Sequence, residues 1–179
     1  MKTASAPPLA GASAEPFTAV AGHVRAVRVH RFAVALPPES AFGLFEPVGE
    51  KKWAEDWNPV FATDEDARLH AGSVFTVERP HPGGRAPQKS VWTVTAYEPC
   101  HLIEYHNVII GNRATRITVL LEPAGARQTH VTVRYVYTGL SESGDRAIAK
   151  IDDVTFRDLI DGWDKAIAAY LQRGTPATP

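Results

Sequence analysis

Along residues 113–122, RATRITVLLE, apolar and polar side chains alternate. Thr115, Ile117, Val119 and Leu121 fall on one face, and Arg116, Thr118 and Glu122 fall mostly on the other. A period of two marks a strand with one covered and one wet face. The segment 129–138, THVTVRYVYT, repeats it, setting Val131, Val133, Tyr135 and Tyr137 against His130, Thr132 and Arg134. β-Branched and aromatic residues predict further strands at 27–36 (VRVHRFAVAL), 73–79 (SVFTVER), 88–97 (QKSVWTVTAY) and 102–109 (LIEYHNVI), six in all. The joints Gly111-Asn112 and Pro123-Ala124-Gly125-Ala126 are short enough to make antiparallel neighbours.

Two stretches carry a helical period instead. After the first strand, PPESAFGLFEP opens with prolines and an acidic residue suited to a first turn, and Pro47 stops it. Trp53 and Trp57 follow, four apart, which puts both rings on one face of a second short helix and turns Lys51, Lys52, Glu55 and Asp56 to water before Asn58-Pro59. From Ser141 to Gly174 the chain has no proline. Ile148, Ile151, Phe156, Leu159, Ile160, Trp163, Ile167, Tyr170 and Leu171 recur there at three- and four-residue steps. The spacing predicts one helix about 40 Å long, capped by Ser141 or Ser143 and closed by Arg173 and Gly174.

Composition narrows the class. With 179 residues, 44% of them hydrophobic and 22% charged, the chain reads as a single α+β globular domain whose core needs no disulfide or metal. Nineteen basic and twenty acidic residues, without a dense block of either, argue against a nucleic-acid partner or an anionic membrane surface. Residues 1–22 are rich in Ala, Pro, Ser and Gly and predict a disordered tail, as do 175–179, leaving a domain over 23–174. Pro7-Pro8 and Pro16 interrupt any signal-like apolar run, and no later stretch is long enough to span a bilayer. The expectation is a cytoplasmic protein without stable membrane insertion. Cys100 has no partner for an internal disulfide or at metal-ligand spacing, which suits a reducing compartment.

The order strand, two short helices, five strands, long helix resembles the START-like helix-grip superfamily (SRPBCC), in its polyketide cyclase/dehydrase and lipid-transport grouping. The segments that carry the resemblance are ALPPESAFGLF, GEKKWAEDWNP, GSVFTV, VWTVTAYEP, THVTVRYVYTGLS and GWDKAIAAYL, which together run from about Val27 to Gly174. The resemblance implies a curved antiparallel sheet of about six strands wrapped around the C-terminal helix, with a cavity between them. It also implies that the two short helices form a clasp at one end of the sheet, where Trp53 and Trp57 either line the cavity or fill a thin part of the core.

An apolar pocket with a few placed polar groups needs residues such as Trp53, Trp57, Phe75, Trp92, Tyr105, Asn107, Tyr135, Phe156, Ile160 and Trp163, and these are the ligand-binding candidates. The chain has no nucleophile elbow, phosphate-cradling glycine loop or metal-binding histidine or cysteine motif. No metal and no cofactor is expected. His81 sits in a Pro-Gly loop, where exposure is expected, and Cys100 follows a proline at a turn with no cue for activation. The acid–base candidates are Glu104 and His106, should they face the cavity. The cost of burying two ionisable groups favours the opposite facing, with Ile103, Tyr105 and Asn107 inward. Binding or transport of a small hydrophobic molecule (lipid, polyketide or aromatic) therefore ranks first. A cyclase, aromatase or dehydratase enzyme ranks second and a protein-interaction adaptor third. A homodimer is compatible with the sequence.

Overall fold

The computed structural model describes residues 22–66, 68–80 and 87–174. Strand β1 (Arg25–Val34) leads into helix α1 (Pro38–Ala41), a 3-10 turn (Phe42–Phe45) and helix α2 (Pro47–Glu50). Strands β2 (Val60–Phe61), β3 (Val74–Arg79), β4 (Gln88–Glu98), β5 (Leu102–Ile109), β6 (Arg113–Pro123) and β7 (Thr129–Gly139) follow. Helices α3 (Glu142–Ala149) and α4 (Asp153–Gly174) complete the chain. The expectations for the tails and for the loop around His81 fall on 1–21, 81–86 and 175–179, outside the described residues.

The strands form one curved sheet in the order β1-β7-β6-β5-β4-β3-β2, antiparallel throughout. Register places inward side chains in rows across it. Trp92, Asn107, Thr115 and Tyr137 make one row, and Val94, Tyr105, Ile117 and Tyr135 make the next. Between Val94 and Ala96 the β4–β5 register shifts, so Thr95 is an extra residue. This bulge resets the alternation and brings Tyr97 onto the core, opposite Ile103. The six strands expected from the sequence are present; β2, two residues long, is a seventh and too short to show a period.

Helix α4 lies across the concave face, burying Phe156, Ile160 and Ile167, with Trp163, Tyr170 and Leu171 packed at the margin of the core. β1 fixes its position with polar side chains. Arg28 Nε donates to Ile151 O at 2.9 Å, and the His30 ring nitrogen lies 2.8 Å from Asp161 Oδ1.

The C-terminal helix is two helices rather than one. The break at Lys150–Asp152 has a local cause: Asp152 Oδ1 accepts the Thr155 N–H at 2.7 Å and starts α4, while Ser141 Oγ accepts the Gly144 N–H at 3.1 Å and starts α3. Helix α4 alone, at 22 residues, spans about 33 Å. Leu159, counted in the apolar stripe, is exposed.

The two-tryptophan segment is also not a helix. The second short helix is α2, begun by the same Pro47 that ends the first, and residues 51–57 form turns, with Asp56 in the left-handed region at φ 55°. Lys51, Lys52, Glu55 and Asp56 do face water. Among the described residues no helix is long and apolar enough to cross a membrane.

Candidate functional site

Trp53 and Trp57 tie the clasp to two different parts of the molecule. Trp53 Nε1 donates to Leu44 O at 2.7 Å, and Trp57 Nε1 donates to Pro47 O at 2.8 Å, so each indole also satisfies a main-chain carbonyl of the short helical elements. The ring of Trp57 meets Trp92 edge-on, centroids 5.1 Å apart, and Trp92 stacks on Phe75 at 5.8 Å. Phe75 and Trp92 both contact Tyr105, whose hydroxyl donates to Phe45 O at 2.8 Å. The ring of Trp53 packs instead on Trp163, 5.5 Å away, and Trp163 leads through Tyr135 to Phe156. One aromatic chain thus joins clasp to sheet, and the other joins clasp to helix.

Between these chains and the α3–α4 junction lies a cavity of about 220 Å³. Trp92, Ile109, Ile117 and Tyr135 supply apolar wall, and Ile151 and Leu159 border it on the helical side. Ser90, Asn107, Thr115 and Tyr137 add polar atoms, and Trp92 Nε1 is held by Ser90 Oγ at 2.9 Å. Two cations belong to the lining, Arg79 and Arg113. Arg79 lies over the Trp57 ring, its guanidinium carbon 5.6 Å from the centroid, in a cation–π contact. Arg113 donates to Asn112 Oδ1 at 2.9 Å, and burial lowers its pKa while the nearby Tyr137 hydroxyl acts in the opposite sense.

Glu50 adds a charge question behind this wall. Gly49 approaches the 3-10 turn so closely that a Cβ would lie 1.6 Å from Gly43 O, an approach only glycine permits; the next residue, Glu50, is 8% exposed. Its carboxyl makes no side-chain hydrogen bond among the described residues. Burial pushes it well above the usual carboxylate range, against a smaller opposing effect of Arg79. Burial likewise raises the Tyr105 and Tyr135 hydroxyls, and the Glu50 charge raises both further. Tyr137 is pushed up to about 12, mainly by burial. The Tyr97 hydroxyl, bonded to Glu46 Oε1, also rises to about 12 through burial and then through that bond. All four phenols are therefore proton donors at neutral pH.

No family model and no curated protein sequence matches the chain. Solved structures do. A Rhizobium loti protein, Mll3558, superposes with a TM-score of 0.60 at 17% identity, over 83% of this chain and 99% of its own. Norcoclaurine synthase from Thalictrum flavum, solved in complex with dopamine and hydroxybenzaldehyde, gives 0.61 at 13% identity, over 86% and 90%. CalU16 from Micromonospora echinospora gives 0.52 at 14% identity, over 85% and 90%. The chain has the START-like helix-grip fold.

Within that helix grip, the sequence candidates separate into layers. Trp92, Asn107 and Tyr135 line the cavity. Trp57, Phe75 and Tyr105 are buried behind Trp92, Trp163 and Phe156 pack against Tyr135, and Trp53 and Ile160 lie in the core. Strand β5 points Ile103, Tyr105 and Asn107 inward. Glu104 and His106 face out, where Glu104 accepts from Thr95 Oγ1 at 3.0 Å and Thr118 Oγ1 at 2.9 Å and pairs with Arg116 at 3.8 Å.

Sequence reasoning passed over Arg79, Arg113, Tyr137 and Glu50 as site residues. The first three extend inward alternations already visible, as Phe75-Val77-Arg79, Arg113-Thr115-Ile117 and Val133-Tyr135-Tyr137. Glu50 carries no such signal, because its burial follows from the Gly49–Gly43 contact. Among the described residues, no three histidine, cysteine, aspartate or glutamate side chains come together as a metal would require.

Proposed function

We propose that the protein binds a small, flat, largely apolar molecule in the cavity between the sheet and the C-terminal helices. The observation that carries this reading is the cavity itself, with aromatic rings on its walls and hydrogen-bonding groups at a few positions. Size selects among the hydrophobic ligands. An apolar cavity of about 150 Å³ accepts benzene, and pockets for larger ligands run from roughly 300 Å³ upward. The volume here, about 220 Å³, suits one or two aromatic rings rather than a long acyl chain. Norcoclaurine synthase, which shares the fold, was solved with two small aromatic molecules, and that analogy points the same way. Lone Cys100 supports a cytoplasmic setting for such binding.

Calorimetric titration with naphthamide and with palmitate tests the reading. Naphthamide is expected to bind at one saturable site, with about tenfold weaker binding to Trp92→Ala, the equivalent of about 1.4 kcal/mol of lost ring contact. Tighter binding of palmitate, or no saturable binding of naphthamide, contradicts it.

Glu50 favours a second reading, an enzyme of the cyclase, aromatase or dehydratase type. Burial raises the Glu50 pKa, and such a carboxyl can donate its proton to the carbonyl oxygen of a ligand that reaches past the cavity wall, while water takes the proton from the adjacent C–H. Such an enzyme should accelerate deuterium exchange at the methyl group of acetylnaphthalene, followed by NMR in heavy water, and Glu50→Gln should lose the acceleration. An equal rate with and without wild-type protein removes this reading and leaves the binding proposal standing.

A further inference from the structure

Several arginines elsewhere on this protein have carboxylate partners. Arg28 pairs with Asp153 at 3.3 Å, Arg31 with Glu122 at 3.3 Å and Arg116 with Glu104 at 3.8 Å. Others, Arg134 and Arg173 among them, form no such pair among the described residues; Arg79 and Arg113 also form none, and these two line the cavity. Strand register puts them at the same end of the sheet. Arg79 lies opposite Gln88 at the end of β3, and Arg113 opposite Ile109 at the start of β6. No aspartate or glutamate is part of the described lining, whereas Gln88, Ser90, Asn107, Thr115 and two tyrosines present N–H or O–H groups there. Glu50 is the carboxyl that acts on Arg79, and its burial favours the neutral form, which leaves the guanidinium charge uncancelled.

We infer that the cavity is built for an anionic ligand, an aromatic molecule of one or two rings bearing a carboxylate or a comparable acidic oxygen group that Arg79 and Arg113 hold. The inference rests on the cavity being the ligand site, and it adds the ligand's charge class. Arg113 is half-buried, and an anion arriving with the ligand offsets the cost of drawing its guanidinium partly out of water, while the exposed Arg79 offers a second charge-assisted hydrogen bond from the rim. A planar guanidinium also matches a planar carboxylate in a two-bonded geometry that a lysine does not reproduce. The aromatic body of the ligand then lies against Trp92 and Tyr135, and the acidic group lies at the arginine end.

Naphthoate and naphthamide are matched in size and differ in charge, so their affinities for the full chain, measured by calorimetry near neutral pH, separate the contributions. Naphthoate is expected to bind about tenfold more tightly or better, the margin of charge-assisted over neutral hydrogen bonds. Arg79→Gln and Arg113→Gln should each remove most of that preference, weakening naphthoate binding several-fold more than naphthamide binding. Arg113→Lys should restore part of it, and Arg134→Gln, on the outer face of β7, should leave it intact. A cooperative urea melt of each variant shows that it is folded. Equal affinity for the two ligands, or a preference that survives both glutamine substitutions, overturns the inference while the cavity reading stands. Absence of saturable binding by either ligand overturns both.

Discussion

At Glu50 two effects of opposite sign compete, and the larger decides its protonation. Burial disfavours the carboxylate, Arg79 favours it, and burial is the stronger, so the folded-state pKa lies above the unfolded value. For a carboxyl raised on folding, the folded state holds the proton more tightly than the unfolded state. The stabilising effect is complete below the unfolded pKa and is lost as pH rises through the folded pKa. Glu50→Gln keeps the size and the neutral charge and removes the titration. It should therefore be more stable than wild type at about pH 8, with the difference shrinking toward about pH 4, in urea melts at each pH. A variant less stable than wild type at the alkaline end would show that Glu50 is stabilising as a carboxylate.

The same scale explains what could be read at Trp53 and Trp57. That both rings are buried was legible from their size. Their four-residue spacing imitated a helix because it is also the spacing of two indole N–H groups that bond Leu44 O and Pro47 O from a turn. A contact that depends on a left-handed Asp56 leaves no periodic trace.

At the scale of elements, strands were legible and helix boundaries were not. An alternation of side chains fixes which face is inward; β5 follows it from Leu102 to Asn107 and β6 from Thr115 to Leu121, and β7 follows it as far as Arg134, after which Val136 is buried beside Tyr137. The gap between α3 and α4 escaped because Ile151 continues the apolar stripe across it, half-buried at the edge of the cavity. The signal that marks the gap is Asp152 three residues before Thr155, a capping pattern inside what reads as a solvated acidic pair. The bonds from Thr155 hold the Asp152 carboxyl below its ordinary pKa. Asp152→Ala should lower stability, the usual effect of losing an N-cap, read as a lower urea midpoint. Asp152→Asn, which keeps the accepting oxygen, should recover most of it. An alanine variant as stable as wild type would mean that the Arg28–Ile151 bond and the packing of α4 set the break without the cap.

At the scale of the whole molecule, the sheet, two aromatic chains and a broken helix leave a partly open space between them instead of filling it. Its general existence was implied by the family resemblance, but its size and charge were not. Those depend on how far Arg79 and Arg113 reach along inward positions that the alternation marks and hydrophobicity does not. The four tryptophans are natural reporters, since one lines the cavity and the others stand at increasing remove from it. The most direct measurement is a naphthamide titration followed through the four indole N–H resonances in proton–nitrogen spectra. A saturable shift is expected that is largest for Trp92, smaller for its neighbour Trp57, and least for Trp53, whose N–H bonds Leu44 O within the core. No saturable change at Trp92, or equal shifts at all four rings, would contradict a ligand held in this cavity.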